Sequence, residues 1–347
     1  MQGGYRGGVG VESKTMKSMT LGVDVSKLKL DAALWLSESR KWYATKVRND
    51  AAGAVQLLAW LAAKSGLTAA DCRVVVEATG VYHETVAQVF HDRGCEVVIA
   101  NPKRVRDFAK GKGLLTKTDA VDAKVLASYG AQGEELSAWI PPPPEVRILR
   151  ALIARLDAVE QDLQREENRL EKAQATETPA AVRDSLHRTL SALRAERDRL
   201  RQEIDDHYDQ HPGLKQEHTR LKSIPGVGDA SASRLLCLLK RHRFESARQA
   251  AACAGLIPIA YESGTSVYKR PHLSKQGDPK LRATLYMAAI VASRHNPQLR
   301  KVYEALIARG KAKMAALGAL MRHLVHIAFG MLKHQTDYNP ALVSKII

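Results

Sequence analysis

The chain has 347 residues, more than a single hydrophobic core usually serves, so we expect at least two domains. Its 53 Lys and Arg against 37 Asp and Glu give a net charge of +16, which favours a polyanionic partner: nucleic acid first and an anionic membrane surface second. Aromatic residues make up only 5% of the chain, too few for a surface that binds single strands mainly by base stacking.

Cysteine spacing and hydropathy indicate the compartment. No C-x-x-C pair occurs, so the sequence predicts neither a zinc site nor a disulfide framework from its four cysteines, Cys72, Cys95, Cys237 and Cys253. The chain has no run of about 18 apolar residues, and its Gly-rich start lacks the apolar segment of a signal peptide. We therefore expect a soluble, cytoplasmic protein with buried thiols and no membrane partner.

The N-terminal part reads as a leader followed by an α/β domain. Residues 1–19 lack periodicity and are expected to be disordered. Three short strands, at 20–26, 29–36 and 42–47, predict an antiparallel meander. A helix over 51–63, a strand over 73–77, a helix over 82–92 and a strand over 95–100 then predict parallel pairing. A ribonuclease H-like sheet over residues 20–140 is one of several topologies that fit this pattern.

The middle of the chain predicts a linker and a helical arm. Four prolines at 141–144 form the clearest boundary, an extended spacer. Over 145–211, leucines at spacings of three and four predict two long helices on either side of a break near Pro179. We expect a coiled-coil arm that supports oligomerisation, with a solvated helical spacer as the plainer alternative. This segment has a net charge of −3, so the positive excess lies elsewhere.

The C-terminal part, residues 212–347, is predicted to be mostly helical. Candidate helices cover 246–254, 280–293, 298–309 and 312–333. The segment 257–277 is rich in Ser, Gly and basic residues, which is typical of a loop.

Four carboxylates could carry chemistry. Asp24 and Glu77 interrupt two apolar strands, where a carboxylate is costly unless something compensates it. Asp119 and Asp122 lie three apart at a predicted helix start and so share one face. Together at one sheet edge they would hold two divalent cations, as in phosphodiester chemistry, and Mg²⁺ suits such oxygen ligands. Asp119 has an alternative role as a helix N-terminal charge.

A serine in the polar segment is a second candidate. Ser263 precedes Gly264, and four basic residues that follow could contact a phosphate: Lys269, Arg270, Lys275 and Arg282. Taken alone, a Ser-Gly pair in a loop is usually only a turn. The sequence does not identify a general base for Ser263, and His272 remains unassigned.

Two further segments could contact nucleic acid. Residues 223–230 resemble a helix-hairpin-helix turn, in which Gly226 and Gly228 would present backbone N–H groups to a phosphate. A turn that merely joins two packed helices is equally compatible with them. Residues 101–117 hold six Lys and Arg against one Asp, and the candidate contacts there are Lys103, Arg104 and Lys117.

Five motifs in this order resemble the insertion-sequence "one-ten" family of transposases, relatives of the Piv-type DNA invertases. They lie at residues 22–27, 77–80, 117–123, 224–228 and 261–264. The resemblance runs over nearly the whole chain from about residue 20, and the Gly-rich leader matches no family motif. It implies a RuvC-like N-terminal domain with a D-E-D-D carboxylate set, a coiled coil, and a C-terminal transposase domain with a nucleophilic serine.

The resemblance also implies roles. Asp24, Glu77, Asp119 and Asp122 would bind Mg²⁺, and Ser263 would join DNA through a phosphoserine linkage. A non-coding bridge RNA would pair with donor and target DNA, which suits a basic protein with little base-reading apparatus. A dimer assembling to a tetramer would combine the carboxylates of one protomer with the serine of another, and the bacterial nucleoid would be the place of action.

Two alternatives stay open at this point. A RuvC-like nuclease or junction resolvase would use metal-activated water and need no serine. A non-catalytic nucleic-acid-binding protein with a degenerate ribonuclease H fold would need neither the carboxylates nor Mg²⁺.

Overall fold

A computed structural model of the chain describes residues 17–78, 80–114, 118–132, 136–241, 243–263 and 267–343. Residues 1–16 of the leader predicted over 1–19, and Lys117, lie outside the described residues. The chain divides into two compact units, Met1–Pro141 and Pro142–Ile347. The finer division of the second unit into an arm and a transposase domain stays a prediction.

The first unit is a mixed sheet with helices on both faces. Its elements are β1 (Met19–Val25), β2 (Lys29–Leu36), β3 (Lys41–Arg48), α1 (Ala51–Ser65), β4 (Cys72–Glu77), α2 (Glu84–Asp92), β5 (Glu96–Ala100), α3 (Pro102–Gly111) and α4 (Asp119–Gln132). The strand order is β3-β2-β1-β4-β5. β1, β2 and β3 pair antiparallel, whereas β4 pairs parallel with β1 and β5. The predicted meander and the predicted parallel pairs are confirmed.

The first strand begins one residue earlier than predicted. Met19, which the sequence placed in the leader, pairs with Leu36 and Cys72 and is fully buried. Since side chains alternate along a strand, Met19, Leu21 and Val23 face one side of the sheet. There they share a core with α1 and α2. The other face of β1 carries the polar and small residues of the strand.

Helix α4 lies directly on that second face. A Cβ at Gly22 would stand 2.1 Å from the carbonyl oxygen of Ala123 and 2.3 Å from the amide nitrogen of Ala127. Farther along α4, the buried Arg73 donates from Nη1 to the carbonyl of Gly130 at 2.9 Å. The backbone of α4 therefore rests on β1 itself, and only glycine fits at position 22.

The second unit is mostly helical. Its helices are α5 (Pro144–Gln174), α6 (Ala180–Gln210), α7 (Pro212–Lys222), α8 (Asp229–Arg241), α9 (Ala247–Cys253), α10 (Pro279–His295), α11 (Pro297–Ala308), α12 (Lys313–His334) and α13 (Pro340–Val343). Helices α5 and α6 pack side by side, and ion pairs Glu167–Arg194 at 3.0 Å and Glu160–Arg201 at 2.9 Å link them. From one pair to the other the residue number falls on α5, from 167 to 160, and rises on α6, from 194 to 201, so the two helices are antiparallel.

The prediction of a loop over 257–277 was wrong. The segment contains a β-hairpin, β6 (Pro258–Ser263) and β7 (Val267–Leu273), which pair antiparallel with an irregularity between Ile259 and Tyr261. Its Ser, Gly and basic residues are typical of loops, but the β-branched and aromatic residues between them favour strands. The cross-strand backbone hydrogen bonds decide the outcome.

Helix α12 is the central helix of the second core. Ten of its residues are buried, among them Leu320, Leu324 and Ala328. Among the described residues it is also the one helix long and apolar enough to cross a membrane, but more than half of that apolar window is buried inside the protein. Such burial is typical of a core helix in a globular unit.

Candidate active site

Asp24 and Glu77 end two neighbouring parallel strands. Asp24 is the penultimate residue of β1, and Glu77 is the last residue of β4. Because β1 and β4 run parallel, their carboxyl ends meet at one edge of the sheet. Helix α4 begins at Asp119, with Asp122 in the same first turn, and its packing on Gly22 brings that turn beside the edge. The four predicted carboxylates thus share one corner of the first unit.

The pKa of Asp24 reports this proximity. Burial and the negative charges of neighbouring carboxylates together raise it to about 6. Burial has the largest effect, followed in order by Asp119, Asp122, Glu77 and Asp31. The corner therefore concentrates negative charge that nearby cations only partly neutralise.

Asp119, unlike Asp24, has a pKa below its usual value because it is paired with a lysine. The ammonium group of Lys29 donates to its Oδ2 at 2.7 Å, and this hydrogen bond lowers the pKa of Asp119. The same Nζ lies 3.2 Å from Oδ2 of Asp31. One lysine thus links the start of α4 to strand β2.

Asp31 was not among the site residues predicted from the sequence. It lies directly opposite Asp24 in the β1–β2 register and opposite Lys46 in the β2–β3 register, and Lys46 Nζ is 2.8 Å from its Oδ1. Its side chain is only 4% exposed. Its position could have indicated a role at the site, because Asp31 lies two residues after Lys29 on the strand predicted to pair with the strand of Asp24.

The chemistry of the donor set fits a divalent cation, although the ligands have not converged. Within the described residues no group of three or more His, Cys, Asp and Glu side chains stands close enough to hold a metal ion. The predicted ligands are all carboxylates, which hard divalent cations prefer. Their negative charges repel one another around Asp24, and a bound divalent cation would neutralise those charges. Side-chain movement would therefore have to accompany metal binding.

Ser263 belongs to the second unit, and its side chain lies outside the description. Its backbone ends β6 and pairs with Val267 of β7, and residues 264–266 between them are outside the described residues. Lys269 and Arg270 lie on β7, again without a described side chain. The structure thus places the backbone of Ser263 at the end of β6.

Arg282, predicted to contact nucleic acid, has a packing role. Its Nη1 donates to the carbonyl oxygens of Gln276 and Gly277, both at 3.0 Å. It thereby ties the segment after β7 to the start of α10. Lys275, in the same segment, is exposed and has a positive φ of 54°. Of these two predicted contacts, Lys275 is the more accessible.

The other predicted contacts lie on two helix starts. Lys103 and Arg104 are exposed in the first turn of α3, where the side chain of Asn101 accepts hydrogen bonds from both backbone amides. Gly226 and Gly228 lie in the turn between α7 and α8. A Cβ at Gly226 would be 2.8 Å from Ala292, so this glycine packs against α10, whereas nothing lies within 4 Å of a Cβ at Gly228.

Comparison with known proteins identifies the family. Residues 21–179 match the DEDD transposase domain of the IS110 family, and residues 218–304 match the transposase IS116/IS110/IS902 family. The chain is 28% identical over 326 residues to the pilin gene-inverting protein of Moraxella lacunata, covering 93% of this chain and 98% of that protein. The corresponding protein of Moraxella bovis gives the same figures. A Streptomyces coelicolor insertion element IS110 protein is 32% identical over 164 residues, covering 47% of this chain and 39% of that protein.

Both halves of the chain therefore match transposase families, and the first of them is a domain type named for its carboxylate set, which indicates divalent-metal use. The geometry agrees, since the other three carboxylates expected from the sequence, Glu77, Asp119 and Asp122, lie close enough to Asp24 for their charges to raise its pKa. The chain belongs to the IS110 family of transposases, enzymes that break and rejoin DNA strands.

Proposed function

We propose that this protein is a Mg²⁺-dependent DNA recombinase of an insertion sequence, which cuts and rejoins strands through a phosphoserine at Ser263. The observation that carries the proposal is the clustering of Asp119, Asp122 and Glu77 near Asp24, whose pKa is raised to about 6 by its burial first and then by their negative charges. Isolated surface carboxylates do not perturb one another in this way.

Asp24, Glu77, Asp119 and Asp122 are the residues that would hold the metal. When bound, Mg²⁺ supplies positive charge that polarises a DNA phosphate and stabilises the oxygen that leaves it. The protein contributes the position of the ligands: two come from rigid strand ends and two from a helix pinned to the sheet at Gly22. Such fixed placement is the main requirement for in-line displacement at phosphorus.

Ser263 would attack the phosphate. A bond forms between its Oγ and phosphorus as the bond to one deoxyribose oxygen breaks. The hydroxyl proton leaves Ser263, and a proton is returned to the departing oxygen. The phosphoserine conserves the phosphodiester bond energy, so attack by a new deoxyribose hydroxyl rejoins the strand without an external energy source.

The proposed architecture follows the sequence. Residues 20–140 would form a RuvC-like domain of the ribonuclease H kind, which the mixed strand order β3-β2-β1-β4-β5 supports. Residues 141–144 would be the linker, 145–211 a coiled-coil arm and 212–347 the transposase domain with its helix-hairpin-helix-like turn. The antiparallel pairing of α5 and α6 supports the arm. A dimer assembling to a tetramer would use that arm.

The partners would be donor DNA, target DNA and a non-coding bridge RNA, with the protein acting in the cytoplasm at the nucleoid. The net charge of +16 supports binding to several phosphate backbones at once. The pilin gene-inverting protein of Moraxella lacunata, by its name, inverts a gene segment, which is a rearrangement of the kind proposed for this chain.

Covalent trapping tests the proposal. Purified protein with its copurifying RNA is incubated with Mg²⁺ and DNA carrying the ends of the element, and the mixture is denatured. Wild type should give a protein–DNA adduct, and Ser263→Ala should reduce it at least about a thousandfold. Ser274→Ala, in the segment after β7, is the matched control and should retain the adduct.

Other outcomes distinguish the alternatives. Cleavage without an adduct, surviving in Ser263→Ala, would identify a nuclease that uses water. Unchanged rearrangement in Asp24→Ala and Asp119→Ala, without dependence on Mg²⁺, would identify a non-catalytic binding protein. Sequencing of the copurified RNA would show whether it contains segments complementary to the donor and target.

A further inference from the structure

Lys29 bridges Asp119, a predicted metal ligand, and Asp31, which was not predicted to bind metal. Its Nζ lies 2.7 Å from Oδ2 of Asp119 and 3.2 Å from Oδ2 of Asp31. Lys29 and Asp119 are both about half exposed, with side-chain exposures of 45% and 54%. The bridge between them faces solvent, so a dissolved cation can reach it.

Asp31 anchors this arrangement. Its carboxylate is buried and has two ammonium partners, Lys29 on Oδ2 and Lys46 on Oδ1. A buried carboxylate requires such partners, because removing a charge from water is otherwise very costly. Asp31 therefore holds Lys29 in place, and Lys29 in turn holds Asp119 at the start of α4.

The ammonium also lies at the edge of the negative cluster. Asp31 is directly opposite Asp24 on the neighbouring strand, and both Asp31 and Asp119 raise the pKa of Asp24. Lys29 thus supplies positive charge close to where a divalent cation would neutralise the same carboxylates.

We propose that Lys29 is a built-in counter-ion of the carboxylate site, which occupies Asp119 in the metal-free protein and competes with the divalent cation for it. The proposal rests on the proposed function, in which Asp119 is a metal ligand. Lys29 would then set the metal concentration at which the site loads, and Asp31 would be the positioning residue that keeps Lys29 there.

Direct metal binding tests this without any DNA reaction. Mn²⁺, which paramagnetic resonance detects, is titrated into the full-length protein. Lys29→Met removes the competing cation and should lower the half-saturating Mn²⁺ concentration about three- to tenfold. Lys29→Arg keeps a cation on the same strand and should stay near wild type. If Lys29→Met fails to fold, Lys29→Gln serves in its place.

Lys46→Met is the matched control. It removes the same charge from the same carboxylate, Asp31, but Lys46 acts on Asp119 only through a weaker charge interaction, whereas Lys29 hydrogen-bonds to Asp119 directly. Its half-saturating Mn²⁺ concentration should change by less than about twofold. An unchanged or weakened affinity in Lys29→Met, or an equal gain in Lys46→Met, would overturn the role of Lys29 as a competitor.

Asp119→Asn separates this proposal from the proposed function. It should weaken Mn²⁺ binding at least about tenfold if Asp119 is a ligand. Wild-type affinity in Asp119→Asn, or no Mn²⁺ binding by wild type, would refute the ligand assignment and the counter-ion role with it. Weakened binding in Asp119→Asn together with no gain in Lys29→Met would refute the counter-ion role alone.

Discussion

Gly22→Ala is the substitution that most directly tests how the carboxylates are positioned. The added methyl carbon would lie 2.1 Å from the carbonyl oxygen of Ala123 and 2.3 Å from the amide nitrogen of Ala127. Both are backbone atoms of α4, so no side-chain rotation can relieve the overlap. The φ of Gly22 is not positive, so the penalty is steric.

The magnitude follows from the overlap. Ordinary carbon contacts lie at about 3.5 Å, so α4 would have to move away from β1 by roughly 1 Å or more. Overpacking of this kind costs typically about 1–3 kcal/mol, and the rigid neighbours place Gly22→Ala near the upper end. For a unit of this size, about 3 kcal/mol corresponds to a melting temperature lower by roughly 12 °C. A displacement of about 1 Å at Asp119 and Asp122 should also reduce DNA cleavage about a hundredfold.

Two assays measure these effects: thermal unfolding by circular dichroism, and cleavage of element-end DNA below the melting temperature. Gly111→Ala is the matched control, since a Cβ at this α3 position meets nothing within 4 Å. The control should keep wild-type stability and cleavage. Wild-type stability and cleavage in Gly22→Ala would refute the contact between α4 and β1 as the device that places the ligands.

Three further predictions concern other residues. Burial and the neighbouring carboxylates raise the pKa of Asp24 to about 6, so the folded protein binds this proton more tightly than the unfolded chain does. The folded state therefore loses stability as the pH rises from about 4 to about 6. Asp24→Asn should therefore stabilise the protein at pH 7.5, by about 1–2 kcal/mol after allowance for solvent screening, but not at pH 4; an equal change in melting temperature at both pH values would contradict this. Gly226→Ala, at φ 103° and 2.8 Å from Ala292, should cost about 2–4 kcal/mol in denaturant unfolding, and Gly228→Ala should cost less than about 0.5 kcal/mol. If Gly226→Ala instead lowered only DNA affinity, the glycine would be a phosphate contact. Arg73→Met should cost about 3 kcal/mol in the same measurement, because it leaves Glu96 without its 3.0 Å partner; a cost below 1 kcal/mol would show that Glu96 is solvated without Arg73.

The sheet of the first unit was predictable because its signals are local. Apolar alternation located the strands to within one or two residues, and the two carboxylates that break it, Asp24 and Glu77, indicated the site. Asp31 was not found, although it lies on a correctly predicted strand. Its burial depends on packing across the sheet that the sequence of β2 alone does not contain.

The second unit was predictable in its helices and not in its hairpin. The apolar periods of α10 and α12 are regular, and their ends were predicted within two residues. Around Ser263, by contrast, the local composition favoured a loop, and only the backbone pairing of β6 with β7 reveals strands. The proposed role of Ser263 comes from the order of the motifs, since its own neighbours in sequence indicate only a turn.

The position of α12 has a consequence for the order in which the two units fold. The sheet of the first unit and its covering helix α4 are complete once residue 132 has been synthesised. The core of the second unit needs α12, which packs against α7, α8, α9, α10 and α11 and begins only at Lys313. During synthesis the first unit can therefore fold early, whereas helices made before α12 keep their apolar faces exposed until it arrives. A ribosome that stalls before residue 313 would release a folded carboxylate unit joined to an incomplete, aggregation-prone second unit.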